Sequence, residues 1–144
     1  MKRHLVFVVV TLLPAVIATT FIYDGVILCG HTDRCSFAYS LQFYDADRFS
    51  AADAIIGRLV DIKGPTGIGN NVYLKGHLNG DELLSTAYYT LAEIWHDCTD
   101  DRKRVRLRFT FNQACPIDRE ICHYKFARNV TNDWGIGSMD AQLL

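Results

Sequence analysis

Beyond residue 18 the chain has no uncharged run near the about 20 apolar residues that a membrane-spanning helix needs. No segment holds a sustained helical period, which excludes a helical bundle. There is no internal repeat, linker or low-complexity tract, so a solenoid or a string of domains is excluded as well. Neither charge is in excess: 15 Lys and Arg against 16 Asp and Glu leave −1, and nothing global calls for nucleic acid. His31, His77, His96 and His123 stand apart with no ligand-like pair, so no metal centre is expected. No cofactor motif is present, and no cofactor is expected.

The N-terminus is where the apolar residues run together. Lys2, Arg3 and His4 precede an uncharged stretch from Leu5 to Ile17 that ends in Ala18. A basic start, a short apolar middle and small residues at Val16 and Ala18 have the form of an export signal. The stretch is too short for a membrane anchor, and Pro14 interrupts it. Residues 1–18 are therefore expected to be a cleaved signal peptide. Residues 19–144 remain, 144 − 18 = 126 residues, enough for one domain with one core. Loss of Lys2 and Arg3 takes the formal charge from −1 to −1 − 2 = −3.

Export predicts an extracellular, secreted protein and changes the meaning of its five cysteines. In that compartment Cys29, Cys35, Cys98, Cys115 and Cys122 are first of all disulfide candidates, and an odd count leaves one over. Asn129-Val130-Thr131 becomes a usable acceptor for N-glycosylation at Asn129.

Alternation in twos dominates the rest of the chain. From Arg104 the residues Arg104, Arg106, Arg108 and Thr110 interleave with Val105, Leu107, Phe109 and Phe111, one set wet and one packed. Similar reasoning predicts strands at Phe21 to Cys29, Phe37 to Tyr44, Ala54 to Ile62, Val72 to Leu78, Thr90 to Cys98, Lys103 to Phe111 and Trp134 to Met139. Turn residues from Gly64 to Asn71, Gly80-Asp81, and Thr99 to Arg102 separate several of them. The stretch from Cys115 to Asn132 reads as irregular. Seven short strands between turns predict an all-β, antiparallel-dominated sandwich.

His96-Asp97-Cys98 invites comparison with a thiol nucleophile and its base. Neighbouring residues on a strand point to opposite faces, which separates His96 from Asp97. The basic residues Arg102, Lys103, Arg104, Arg106 and Arg108 form the one concentration of charge, and they carry two readings. They could be an anion-binding face for lipid headgroups or glycans. The favoured reading is that they mark the sixth strand as a sheet edge, where Lys and Arg discourage pairing with another molecule. Tyr88, Tyr89, Trp95 and Trp134 are expected in the core first and on a contact surface second.

Four segments in order carry a family resemblance. Gly25-Val26-Ile27-Leu28-Cys29, Leu41-Gln42-Phe43-Tyr44-Asp45-Ala46-Asp47, Leu91-Ala92-Glu93-Ile94-Trp95-His96-Asp97-Cys98 and Trp134-Gly135-Ile136-Gly137-Ser138-Met139 resemble the signatures of the nematode transthyretin-like family. The resemblance implies a secreted sandwich of transthyretin-like topology in which the first and fifth strands point the same way. Cys29, Cys35 and Cys98 then share one pole, while Cys115 and Cys122 share the other. A strand of eight residues spans ~26 Å and a disulfide needs Cα atoms within ~7 Å, so the implied topology excludes bonds between poles. Cys115–Cys122 is implied as a local clasp, and Cys98 pairs with Cys29 or Cys35, the family pattern favouring Cys29. Cys35 becomes the free or intermolecular thiol. The same topology sends Asp45 and Asp47 to the pole opposite Asp97, Asp100 and Asp101, which argues against a shared calcium site.

The resemblance further implies a non-catalytic binding protein whose partner is an extracellular protein, a lipid headgroup or a small hydrophobic ligand. Hydroxyisourate hydrolases share the fold but end in Tyr-Arg-Gly-Ser. This chain ends in Ser138-Met139-Asp140-Ala141-Gln142-Leu143-Leu144, so enzymatic activity is not expected.

Overall fold

A computed structural model of the chain describes residues 18–46, 54–79 and 85–144. Residues 1–17 of the expected leader, Asp47, and the expected turn at Gly80-Asp81 lie outside the described residues. The described chain is all-β. Its strands are β1 (Ala18–Leu28), β2 (Ser36–Asp45), β3 (Ala54–Pro65), β4 (Gly69–Asn79), β5 (Ala87–Tyr88), β6 (Thr90–His96), β7 (Val105–Phe111), β8 (Cys115–Pro116), β9 (Ile121–Asn129), β10 (Gly135–Met139) and β11 (Gln142–Leu143).

Two sheets pack against each other. One has the order β11-β9-β1-β4, the other β10-β7-β6-β2-β3, and β5 pairs with β8 in a small ribbon. Only β1 with β9 and β10 with β7 run parallel; the other pairs are antiparallel. β6 opposes β2 from Thr90↔Asp45 to His96↔Tyr39, so Asp45 and Asp97 end at opposite poles.

The structure corrects two expectations. Cys115 to Asn132 is not irregular: it contains β9, a nine-residue strand held between β1 and β11. Cys122, Tyr124 and Phe126 are buried while Ile121, Lys125 and Ala127 are exposed. That is the period of two expected of a strand with one packed face. Eight described strands of five or more residues result, rather than seven. The second correction concerns the basic strand. β7 is not an edge, because β10 pairs with it from Gly135↔Leu107 to Met139↔Phe111; composition alone could not reveal that cover.

Aromatic rings fill the space between the sheets. Tyr23 of β1 stacks on Phe43 of β2 at 3.8 Å between ring centroids, and Phe111 of β7 meets Tyr124 of β9 edge-on at 5.1 Å. Each such ring, fully buried, contributes about 2–3 kcal/mol of transfer free energy. The Tyr23 hydroxyl keeps a partner in this apolar setting, 3.0 Å from the Thr90 Oγ1, which avoids the penalty of a buried unpaired hydroxyl. Where β3 crosses β4, Gly76 is required by close approach. A Cβ there would sit 2.0 Å from the Ile56 carbonyl oxygen.

Two disulfides brace opposite ends. Cys29–Cys98 joins the end of β1 to the residue pair after β6, with Cα atoms 5.9 Å apart, and so ties one sheet to the other. Cys115–Cys122 links β8 to β9 with Cα atoms 6.0 Å apart. Cys122 is level with Phe21 near the start of β1, about 26 Å along the strand from Cys29. Cys35 is free and exposed. Two disulfides are compatible with an extracellular setting.

Candidate functional site: the disulfide-braced pole

Two of the loops at the pole that holds Cys29–Cys98 frame a cleft, and each is fixed by its own residues. The first, between β6 and β7, turns at Arg102, whose N–H donates to the Thr99 carbonyl at 3.1 Å. Arg102 sits at φ 57, a left-handed position that ordinary side chains enter at some cost. Asp101 anchors the turn. It accepts the Lys103 N–H at 3.2 Å and lies 3.0 Å from the Thr99 hydroxyl, while the Lys103 ammonium sits 2.8 Å from its other oxygen. The Lys103 side chain and N–H hold the Asp101 carboxyl down at about 2, well below the usual carboxylate range.

The second loop leaves β9 and enters β10. Its Val130 N–H donates to the Leu28 carbonyl at 2.9 Å and its Asn132 N–H to the Cys98 carbonyl at 2.9 Å. Asn132 and Gly135 take positive φ values of 51 and 96, the residue types that tolerate this best. Asn132 and Asp100 then bind reciprocally. The Asp100 N–H donates to Asn132 Oδ1 at 2.8 Å, and the Asn132 amide donates to Asp100 Oδ1 at 2.9 Å.

Three further groups lock this pole. Cys98 N–H donates to His96 Nδ1 at 3.2 Å, so the ring proton is on Nε2, which donates to the Asp133 carbonyl at 2.8 Å. His96 is fully buried, and desolvation holds it below the usual imidazole range, opposed in part by its bond to Asp133 and by the charges of Asp133 and Asp97. Arg34, from the loop between β1 and β2, donates to the Asp97 and Thr99 carbonyls at 3.2 and 2.7 Å. Asp97 in turn accepts the Ala38 N–H at 2.7 Å.

Between the loops lies an open cleft of about 760 Å³, its lining including Asp100, Asp101, Lys103, Arg106, Asn132 and Trp134. Trp134 is 62% exposed. Two cations and two carboxylates make the cleft formally neutral.

The basic residues divide between this cleft and the neighbouring sheet face. Arg106 and Arg108 both approach Glu93, at 3.0 and 3.5 Å, and Trp95 donates to the same carboxylate at 2.7 Å. The Arg106 guanidinium also lies 5.7 Å from the Trp95 ring centre. Arg104 donates to Ser40 at 3.1 Å and lies 3.9 Å from Asp61. Arg102 is exposed at the hairpin tip. The ladder of arginines is therefore interleaved with carboxylates rather than bare.

Other sequence expectations fall elsewhere. Asn129 is exposed, its Oδ1 accepting from the Thr131 N–H and hydroxyl at 3.0 and 2.6 Å. Tyr88 is in the core, whereas Trp95 and Trp134 reach the surface. His77 lies 3.1 Å from the Thr20 hydroxyl, and His123 lies 3.9 Å from Asp24. Among the described residues no three His, Cys, Asp or Glu side chains are grouped to hold a metal ion. Sequence reasoning missed the meeting of Trp134 and Asn132 with Asp100. Its one local signal was the turn-forming run Asn132-Asp133 before Trp134-Gly135. Comparison with protein-family profiles, curated proteins and solved structures gives no match to this chain.

Proposed function

We propose that this chain is an exported, non-catalytic binding module of transthyretin-like kind that engages an extracellular partner through the Cys29–Cys98 pole. The observation that carries the reading is a rigidly braced pole displaying an open cleft with a large exposed indole. Loops already pinned by a disulfide, a buried histidine and a buried arginine lose little freedom on binding, which favours affinity. The topology in this reading draws support from β1 and β6 ending together at Cys29 and Cys98. The non-catalytic assignment draws support from His96, both of whose ring nitrogens are taken by backbone groups, and from Cys98, whose sulfur is bonded.

The export part is tested by expressing the full chain and sequencing the N-terminus of protein recovered from the medium. A chain starting at Thr19 is expected; intact Met1 retained in cells would overturn it. The binding part is tested with labelled, oxidised protein on intact cells. Asn132→Lys at the pole is expected to abolish surface binding, and Lys125→Glu on the outer face of β9 to leave it unchanged. Equal binding by both variants would refute the assignment to this pole.

A further inference from the structure

We infer that the pole cleft is a binding site for a neutral pyranose sugar, stacked on Trp134 and held through its hydroxyls by Asp100, Asp101, Lys103 and Asn132. The inference rests on the binding-module reading and names its ligand class. An indole is a flat apolar plate with a π face. One face of a pyranose presents a patch of C–H groups that packs against such a plate, while the hydroxyls project around the rim. Trp134 offers that plate to solvent, and Asp100, Asp101, Lys103 and Asn132 line the same cleft.

Charge decides among the ligand classes. A phosphate or sulfate needs a surplus of donors and positive charge. Here Lys103 is paired with Asp101 at 2.8 Å, and Arg106 is shared with Glu93 at 3.0 Å. A hard cation needs several uncommitted carboxylates, and Asp101 is already held by Lys103 and Thr99. A purely apolar ligand would use the indole but leave Asp100, Asp101, Lys103 and Asn132 without a role, so it accounts for only part of the cleft. A sugar hydroxyl both donates and accepts, so it meets carboxylate, amide and ammonium alike without adding charge.

Size and preorganisation agree with this class. The cleft volume of about 760 Å³ falls within the roughly 300–1,000 Å³ of small-ligand sites. Its open form suits the end of a glycan better than an enclosed single ring. The reciprocal Asp100–Asn132 pair holds both polar groups in place before any ligand arrives, which removes an ordering cost.

The chain has two tryptophans, so Trp95→Phe leaves Trp134 as the sole indole reporter. Oxidised Trp95→Phe protein is titrated with neutral trisaccharides of glucose, mannose, galactose and N-acetylglucosamine. A saturable change in emission is expected with at least one of them, insensitive to added salt, since a neutral ligand gives salt nothing to screen. Calorimetry on Trp134→Ala should then show no binding, and Asp100→Ala a loss of about 10-fold, the worth of one good polar contact. Both side chains are exposed, and circular dichroism checks that the variants fold.

Two arms separate the sources of the sugar. Loss of cell-surface binding after glycosidase treatment places the sugar on the surface. Trisaccharide binding by protein that ignores untreated cells places it in solution, which supports the sugar site and overturns the surface-partner reading. Cell-surface binding that survives complete deglycosylation overturns the sugar and leaves the binding module standing. Silence toward all four trisaccharides, or a salt-sensitive response to heparin fragments or phosphatidylserine vesicles alone, also overturns it.

Discussion

Replacing Cys29 and Cys98 together by alanine is expected to cost more stability than replacing Cys115 and Cys122, and loop length sets the difference. The first bond joins residues 69 apart and the second residues 7 apart. In the chain-entropy account, a cross-link removes unfolded-state freedom in proportion to the logarithm of the loop it closes. The two closures are then worth about 4.4 and about 2.4 kcal/mol at 25 °C. All four cysteines are fully buried, so the packing lost on truncation is similar in both double variants and largely cancels. What remains is a difference of about 2 kcal/mol. For a domain of this size, with about 4 °C of midpoint per kcal/mol, that is a gap of ~8 °C.

The assay is urea and thermal unfolding of oxidised protein followed by tryptophan emission, in a Cys35→Ser background so that the exposed thiol cannot exchange. Equal losses in the two variants, or a larger loss for Cys115→Ala/Cys122→Ala, would refute the reasoning. Such a result would mean that the sheets stay tied without Cys29–Cys98. An altered denaturant slope in one variant alone would instead report a change in how compact its unfolded state is.

Two other outcomes follow from single groups. His96 is neutral and buried in the folded chain, with its pKa below the ordinary 6.5, so the unfolded chain binds the extra proton. Stability is therefore fully present above about 6.5 and falls as the pH drops through that value, at up to about 1.4 kcal/mol per pH unit; His96→Asn should remove this part of the slope in urea titrations at several pH values. Gly76→Ala should cost about 2–3 kcal/mol, because the new Cβ meets the Ile56 backbone rather than a mobile side chain. Gly135→Ala, with open space around it but φ at 96, should cost about 1–2 kcal/mol from backbone strain alone; urea midpoints that showed it to be the costlier of the two would refute both estimates.

The strands legible in the sequence are those whose two faces differ in chemistry. β7 could be read because every outward residue from Arg104 to Thr110 is polar and every inward one apolar. β9 carries the same inward alternation through Cys122, Tyr124 and Phe126, but its outward set mixes Ile121 and Ala127 with His123 and Lys125. That blurs the contrast on which a period of two depends. The two-residue strands β5, β8 and β11 are hydrogen-bonded contacts too short to have a period at all. Edge position was illegible for a different reason. It depends on whether a distant segment docks alongside, and Gly135–Met139 has no feature that names β7 as its neighbour. The Trp134 indole was expected inside because tryptophan composition favours burial. It lies outside, on a connection that turns through the left-handed backbones of Asn132 and Gly135.

The segment whose period was hardest to read is the one that creates the cleft. β9 runs parallel to β1, from Thr20↔Ile121 to Leu28↔Asn129, and so delivers residue 130 to the pole where β1 ends. An irregular Cys115–Asn132 segment would have left that arrival unspecified. Once Val130 is fixed to Leu28, Asn132 meets Cys98 and Asp100, and Trp134 is set against the hairpin between β6 and β7. The disulfide fixes one loop to the end of β1, and the strand register fixes the other to the same place. Neither local sequence contains the cleft; it arises where two long-range constraints converge on Cys29.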